Sequence, residues 1–141
     1  MERKALILDA SVIVKWFTKE EDRDKAVRLR EDFFKGKLEI VLPDLVLYEI
    51  ANALRYNPNI DSNDVIDAIS SILDMEIEIV VPQSSILRKA IEIAFEKKIS
   101  FYDSFYIALA SEIDFGFVTA DEKLYNKIKD LGNVHLLKDT Y

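Results

Sequence analysis

Apolar and polar residues fall into blocks along this chain, and the period of the pattern changes from block to block. Residues 4–8 end in the continuous apolar run Ala5-Leu6-Ile7-Leu8, which predicts a buried strand. Ser11 is placed to cap a short helix through Phe17. Residues 20–34 carry charges on one side and the stripe Ala26, Val27, Leu29, Phe33 and Phe34 on the other, an amphipathic helix that Gly36 stops. A second strand is expected at 38–42, and Pro43 then opens a helix that ends before Pro58. Next come a helix at 62–75, a strand at 77–81 and a break at Pro82. Ser84 or Ser85 caps the following helix, whose apolar face reads Ile86, Leu87, Ala90, Ile91, Ala94 and Phe95. A helix at 103–113, a strand at 115–118, a helix at 121–131 ending at Gly132 and a strand at 134–137 complete the pattern. No linker, repeat or low-complexity tract interrupts it.

Continuous apolar strands alternating with helices predict a mainly parallel sheet covered on both faces, with right-handed crossovers. In such sheets ligands are handled in the crevice beyond the carboxyl ends of the strands. Asp9 and Asp121 each follow a predicted strand, so both are expected at that crevice.

Composition narrows the chemistry. The 141 residues suit one domain with one core, and half of them are hydrophobic. No apolar run reaches the roughly 18 residues of a membrane span, so no membrane partner is expected. Met1-Glu2-Arg3-Lys4 runs straight into a strand without a small-residue cleavage site, which makes a cytoplasmic protein the default expectation. Without cysteine, disulfides, thiolate metal sites and thiol nucleophiles are excluded. The single histidine, His135, rules out a three-histidine zinc site, and its place in a short terminal strand reads as a plain surface or edge position. A net charge of −7 argues against broad, non-specific nucleic-acid binding while leaving room for a local basic rim.

What remains are carboxylates, and four stand in unusual company. Asp9 ends an apolar strand, where a charge is costly unless it is solvated or paired. Glu49 lies in an apolar helix between Leu45, Ala53 and Tyr56, with Asn52 one turn away, a polar notch in an apolar surround. Asp103 opens a helix, where an acid is also at home for structural reasons. Asp121 sits in Thr119-Ala120-Asp121-Glu122, which reads equally as a capping box with Thr119 as the cap. If the fold unites these four, their repulsion calls for a cation, and a divalent metal is the natural one.

The motifs Asp9-Ala10-Ser11, Glu49-Ile50-Ala51-Asn52-Ala53-Leu54, Tyr102-Asp103-Ser104-Phe105-Tyr106-Ile107-Ala108-Leu109-Ala110 and Thr119-Ala120-Asp121-Glu122-Lys123-Leu124 occur here in order. In that order and context the chain resembles the PIN-domain ribonucleases, most closely the stand-alone VapC-type toxins of toxin–antitoxin pairs. The resemblance implies a Rossmann-like, three-layer α/β/α domain over residues 1–141 with a short, mainly parallel sheet. It implies that Asp9, Glu49, Asp103 and Asp121 form an acidic quartet binding Mg²⁺ or Mn²⁺, supported by Ser11, Asn52 and Thr119. It further implies hydrolysis of RNA phosphodiesters to a 5′-phosphate and a 3′-hydroxyl, a small antitoxin as partner, and a homodimer.

Two rival readings have specific signatures. A phosphatase with an aspartyl nucleophile needs a second Asp two residues beyond the first, where this chain has Ser11. A phospho-receiver domain needs an adjacent acidic pair near the first strand, and Asp9 has no such neighbour. A non-catalytic PIN-like binding module would keep the quartet as a structural ion site. Lys15 reads as an exposed solubility lysine or as a phosphate contact. Val12, Trp16, Phe17, Phe33 and Phe34 read as core, or as a surface for a homodimer or an antitoxin.

Overall fold

A computed structural model describes residues 4–140. Five parallel strands, β1 (Lys4–Leu8), β2 (Leu38–Pro43), β3 (Glu78–Val80), β4 (Gly116–Thr119) and β5 (Val134–Leu136), lie in the order β3-β2-β1-β4-β5. The chain therefore winds outward from β1 through β2 to β3, then crosses back to lay β4 against the other side of β1. That reversal makes the gap between the carboxyl ends of β1 and β4 the topological switch point of the sheet. Seven α-helices complete a three-layer α/β/α sandwich: α1 (Ala10–Ile13), α2 (Arg23–Phe34), α3 (Leu45–Arg55), α4 (Ser62–Asp74), α5 (Ser84–Lys97), α6 (Phe101–Ile113) and α7 (Glu122–Ile128).

One apolar core runs through the sandwich. Its central rod is α6, in which every residue from Ser104 to Ala110 is buried. A helix apolar nearly all round is stable only when surrounded, and α6 packs across β1, β2 and β4 and against α5. Tyr106 of α6 stacks obliquely on Phe117 of β4, with ring centroids 5.9 Å apart. On the other side, the Trp16 indole N–H donates to the Ala26 carbonyl at 2.8 Å, which ties the turn after α1 to α2. Val12 and Trp16 are buried, and Phe17 and Phe33 pack against the core, while Phe34 is exposed.

Several element ends differ from the sequence pattern, each for a local reason. Pro43 does not open a helix; it ends β2 opposite Val80, and α3 begins at Leu45. Helix α2 starts at Arg23 rather than at residue 20, because Asp22 takes a left-handed conformation (φ +63°). The short helix after β1 holds α geometry only to Ile13 and tightens into a 3₁₀ turn, Val14–Trp16. In α5 the buried positions are Ile86, Ala90 and Ile93, whereas Ile91 and Phe95, expected inside, are exposed. Two apolar stripes lie side by side on that helix, and only one faces the sandwich.

The core makes a direct prediction. Phe117→Ala removes a fully enclosed ring from a central strand and should lower unfolding stability by about 3–5 kcal/mol. Phe34→Ala, at a site 64% exposed, should change it by no more than about 0.5 kcal/mol. Urea denaturation of both variants checks the contrast.

Candidate active site

The switch point is occupied by a closed hydrogen-bond network. Asp9 follows β1 directly, and its N–H donates to the Val118 carbonyl at 3.2 Å, extending the ladder to β4 by one rung. Its carboxylate is 5% exposed and accepts two hydroxyls: Ser11 Oγ donates to Oδ1 at 2.5 Å, and Thr119 Oγ1 donates to Oδ2 at 2.6 Å. Each hydroxyl is itself aimed from behind. The Ala120 N–H donates to Ser11 Oγ at 2.9 Å, and the Asp121 N–H donates to Thr119 Oγ1 at 3.1 Å. With its oxygen accepting from the backbone, each hydroxyl has its one proton free for Asp9. Ser11 and Thr119 thus hold the carboxylate, and neither acts as a helix cap.

The cap of α7 is instead Asp121, whose Oδ1 accepts from the Leu124 N–H at 3.1 Å while the residue stays exposed at the crevice. In α6 the cap is Ser100, which accepts from the Asp103 N–H at 3.0 Å and leaves the Asp103 carboxylate, half-buried, without a capping duty. Glu49, also half-buried on α3, accepts from the Tyr106 hydroxyl at 2.6 Å. Tyr106 is a site residue that the sequence reading passed over. Its signal was present: a buried tyrosine needs a partner for its hydroxyl, and this one stands three residues after Asp103, followed by the apolar run Ile107-Ala108-Leu109-Ala110. Asn52 is exposed on α3 one turn beyond Glu49 and makes no side-chain hydrogen bond among the described residues. Lys15 is neither free nor a simple surface lysine: its Nζ donates to the Glu21 carbonyl at 2.8 Å and pairs with Glu20 at 3.9 Å.

The four acids share one electrostatic environment. Burial, helped by the negative charge of Asp103, pushes the Asp9 carboxyl up from 3.8 to about 7, even against its two hydroxyl hydrogen bonds. Burial also raises Glu49, with Asp103 adding to the rise and Tyr106 opposing it. Asp103 is raised by burial and by the charge of Asp121. Asp103 is therefore the hub through which the other three repel. Burial and the charge of Glu49 hold the Tyr106 phenol above its ordinary range, so it remains a donor.

No lysine or arginine forms an ion pair with any of the four among the described residues. Hard oxygen donors on four acids, with the carboxyls of Asp9, Glu49 and Asp103 raised and no protein cation beside them, suit a hard divalent ion. Among the described residues no three acidic or histidine side chains lie close enough together to hold a metal ion. Mg²⁺ characteristically keeps several waters. Asp121 borders two clefts, one of about 600 Å³ shared with Lys15 and Lys138, the other of about 200 Å³ shared with Asp103. A further cleft of about 490 Å³ at the amino ends of the strands, where His135 sits, contains none of the four acids.

The raised Asp9 pKa has a stability consequence with a definite sign. Between about pH 4 and pH 7 the folded protein holds a proton that the unfolded chain has released, so metal-free stability falls as pH rises through that window. Asp9→Asn keeps the shape without the charge. At pH 4, near the start of that window, its melting temperature should lie close to that of the parent, and at pH 8 it should exceed it by roughly 10 °C. An offset that is the same at both pH values would show that the Asp9 charge is not strained in the fold.

In sequence, the chain matches the PIN domain family over residues 6–130. No curated protein matches it significantly. Among solved structures it is similar to PAE2754 from Pyrobaculum aerophilum, with a TM-score of 0.67 at 22% identity, covering 96% of this chain and 85% of that one. It is also similar to Mycobacterium tuberculosis VapC20, a sarcin-ricin loop cleaving toxin, with a TM-score of 0.67 at 15% identity over 86% and 93% of the two chains. VapBC2 from Rickettsia felis, bound to a DNA fragment from its promoter, gives a TM-score of 0.69 at 15% identity over 94% and 96%. These likenesses agree with the sheet order and layers described above, and the sequence match spans all four acids. The chain belongs to the PIN domain family.

Proposed function

We propose that this protein is a Mg²⁺- or Mn²⁺-dependent endoribonuclease, the toxin of a toxin–antitoxin pair, acting in the cytoplasm. The observation that carries the reading is the group of four uncompensated acids at the switch point of the sheet, one of them buried at the end of β1. Family membership supports it, since PIN domains generally use divalent metal ions. The similarity to VapC20 and VapBC2 supports the toxin role.

Asp9, Glu49, Asp103 and Asp121 would hold the ion, with Ser11 and Thr119 supporting Asp9 and with Asn52, one turn beyond Glu49, as a further supporting residue. Once bound, the cation supplies charge stabilisation at phosphorus and acidifies water. The residues contribute the rest. Ser11 and Thr119 fix both Asp9 oxygens, so the carboxylate keeps one orientation when its proton leaves. Tyr106 holds Glu49 at one oxygen and leaves the other free to orient an attacking water. Asp121, exposed, lies on the solvent side of the four acids. The products would be a 5′-phosphate and a 3′-hydroxyl.

An antitoxin and a second copy of the chain are proposed as protein partners. Exposed Tyr48, Tyr56, Ile66, Leu73 and Phe95 supply apolar surface for them.

Incubation of the protein with RNA and Mn²⁺ or Mg²⁺ should yield 5′-phosphorylated fragments, and Asp9→Asn should lower the rate by at least about a hundredfold. Cleavage that survives full chelation would refute the metal-dependent reading. Tyr106→Phe removes one hydroxyl from a buried ring and should lower kcat roughly tenfold. Without that hydrogen bond the Glu49 pKa rises further, so the acid limb of the pH–rate profile should move to higher pH. An unmoved limb would separate Tyr106 from the chemistry.

A further inference from the structure

The 200 Å³ cleft beside Asp103 and Asp121 carries an unusual charge arrangement. Its walls come from the turn between α5 and α6, including Lys98 and Ser100, and from α7, including Lys123 and Lys127. Three lysines therefore line the same small cleft as two acids of the quartet. Lys123 and Lys127 stand four residues apart on α7, hence on one face of it. All three lysines are exposed.

Their neighbours make the arrangement more specific. The other acids nearby already have partners: Glu122 pairs with Lys138, and Asp130 pairs with Lys97 at 2.6 Å. Lys98, Lys123 and Lys127 form no ion pair among the described residues; the one recorded contact is Lys127 Nζ donating to the Lys98 carbonyl at 3.3 Å. Lys98 also sits in a left-handed conformation, φ +56°, at the end of α5. Glycine takes that conformation more easily, yet the chain places a cation there. In a protein of net charge −7, three unpaired ammonium groups beside the acidic centre form a local exception to the overall field.

We propose that this cleft is a nucleic-acid phosphate site: Lys98, Lys123 and Lys127 hold backbone phosphates of a single strand whose neighbouring linkage lies at Asp103 and Asp121. The ligand class rests on the ribonuclease reading above. Lysine suits the task because a phosphate chain needs movable point charges rather than a fixed fork. The strand is thereby led into the centre over α7 and the α5–α6 turn, and its position on the acids is set by the lysines, not by the acids that would repel it.

The test measures binding of a fluorescent single-stranded oligoribonucleotide to the full-length protein in the presence of chelator, across a range of salt. Variants are Lys98→Gly, the pair Lys123→Ala/Lys127→Ala, and, as control, Lys35→Ala/Lys37→Ala, which precede β2 at the amino end of the sheet. The α7 pair should weaken binding roughly tenfold and reduce the slope of log affinity against log salt by about 0.7 per lysine removed. Lys98→Gly should keep or raise the melting temperature, since glycine relaxes the left-handed turn, and still weaken binding. The control pair should bind as the parent does. Parent-like affinity and slope in the cleft variants, or no salt-dependent binding by the parent, would overturn the proposal. RNA cleavage measured in parallel separates the two readings. Cleavage with unchanged KM in the cleft variants would remove the phosphate site alone. Lysine-dependent binding without cleavage by the parent would remove the ribonuclease reading alone.

Discussion

The structure turns on one buried carboxylate. Asp9 ends the central strand, and its two oxygens accept hydroxyls from Ser11 on its own side and Thr119 on the neighbouring strand. Those hydroxyls are in turn held by the N–H groups of Ala120 and Asp121, so the network joins the end of β1 to the turn after β4. Among the described residues no buried side-chain polar atom is left without a partner, Asp9 included. Hydrogen bonds alone nevertheless fail to make the charge comfortable. Burial outweighs them and moves the carboxyl to about 7. The fold has built a rigid cradle for a charge and then withheld the counter-charge.

The other three acids are placed around that cradle by elements whose ends are satisfied separately. Ser100 caps α6, which frees Asp103 from the usual duty of an acid in a first turn. Asp121 caps α7 with one oxygen and keeps the other for the crevice. Glu49 is fixed through Tyr106, a hydroxyl reaching from the most enclosed helix of the molecule to the edge of the site. Core packing and site geometry are therefore coupled: the ring that rests on Phe117 is the same ring that orients Glu49.

Much of this was legible from the pattern of residues. Five short apolar runs with helices between them determine a parallel sheet, and an acid at the end of such a run marks the crevice, as Asp9 does. In the structure Asp103 raises the carboxyls of Asp9 and Glu49 and is itself raised by Asp121. The readings that failed concern side chains with two plausible employments. Ser11 and Thr119 read equally as caps and as supports for the acids, and of these only the cap role is absent: both hydroxyls are drawn to Asp9, two residues before Ser11 and at the end of the strand beside that of Thr119. The inward stripe of α5 was misjudged because two apolar stripes adjoin, and only the packing of neighbouring helices chooses between them. Tyr106 was hidden among core residues because its ring is core and only its last atom is not.

The same division between global composition and local placement resolves the tension between an acidic chain and a polyanionic ligand. At physiological salt a charge is screened within about 8 Å, so the −7 total says little about the field inside a cleft a few residues wide. What matters there is which charges lack partners. Near the site, Lys97, Lys138 and Lys15 are spent on carboxylates of the surrounding surface, and the three lysines of the α7 cleft are not. The acids show the reverse: Glu20, Glu122 and Asp130 on the surface pair with lysines, whereas none of the four acids of the site pairs with a cation among the described residues. Uncompensated anions and uncompensated cations thus lie side by side at the end of one sheet. A phosphodiester and a divalent ion together are complementary to that pair of surfaces, whereas neither alone would satisfy both.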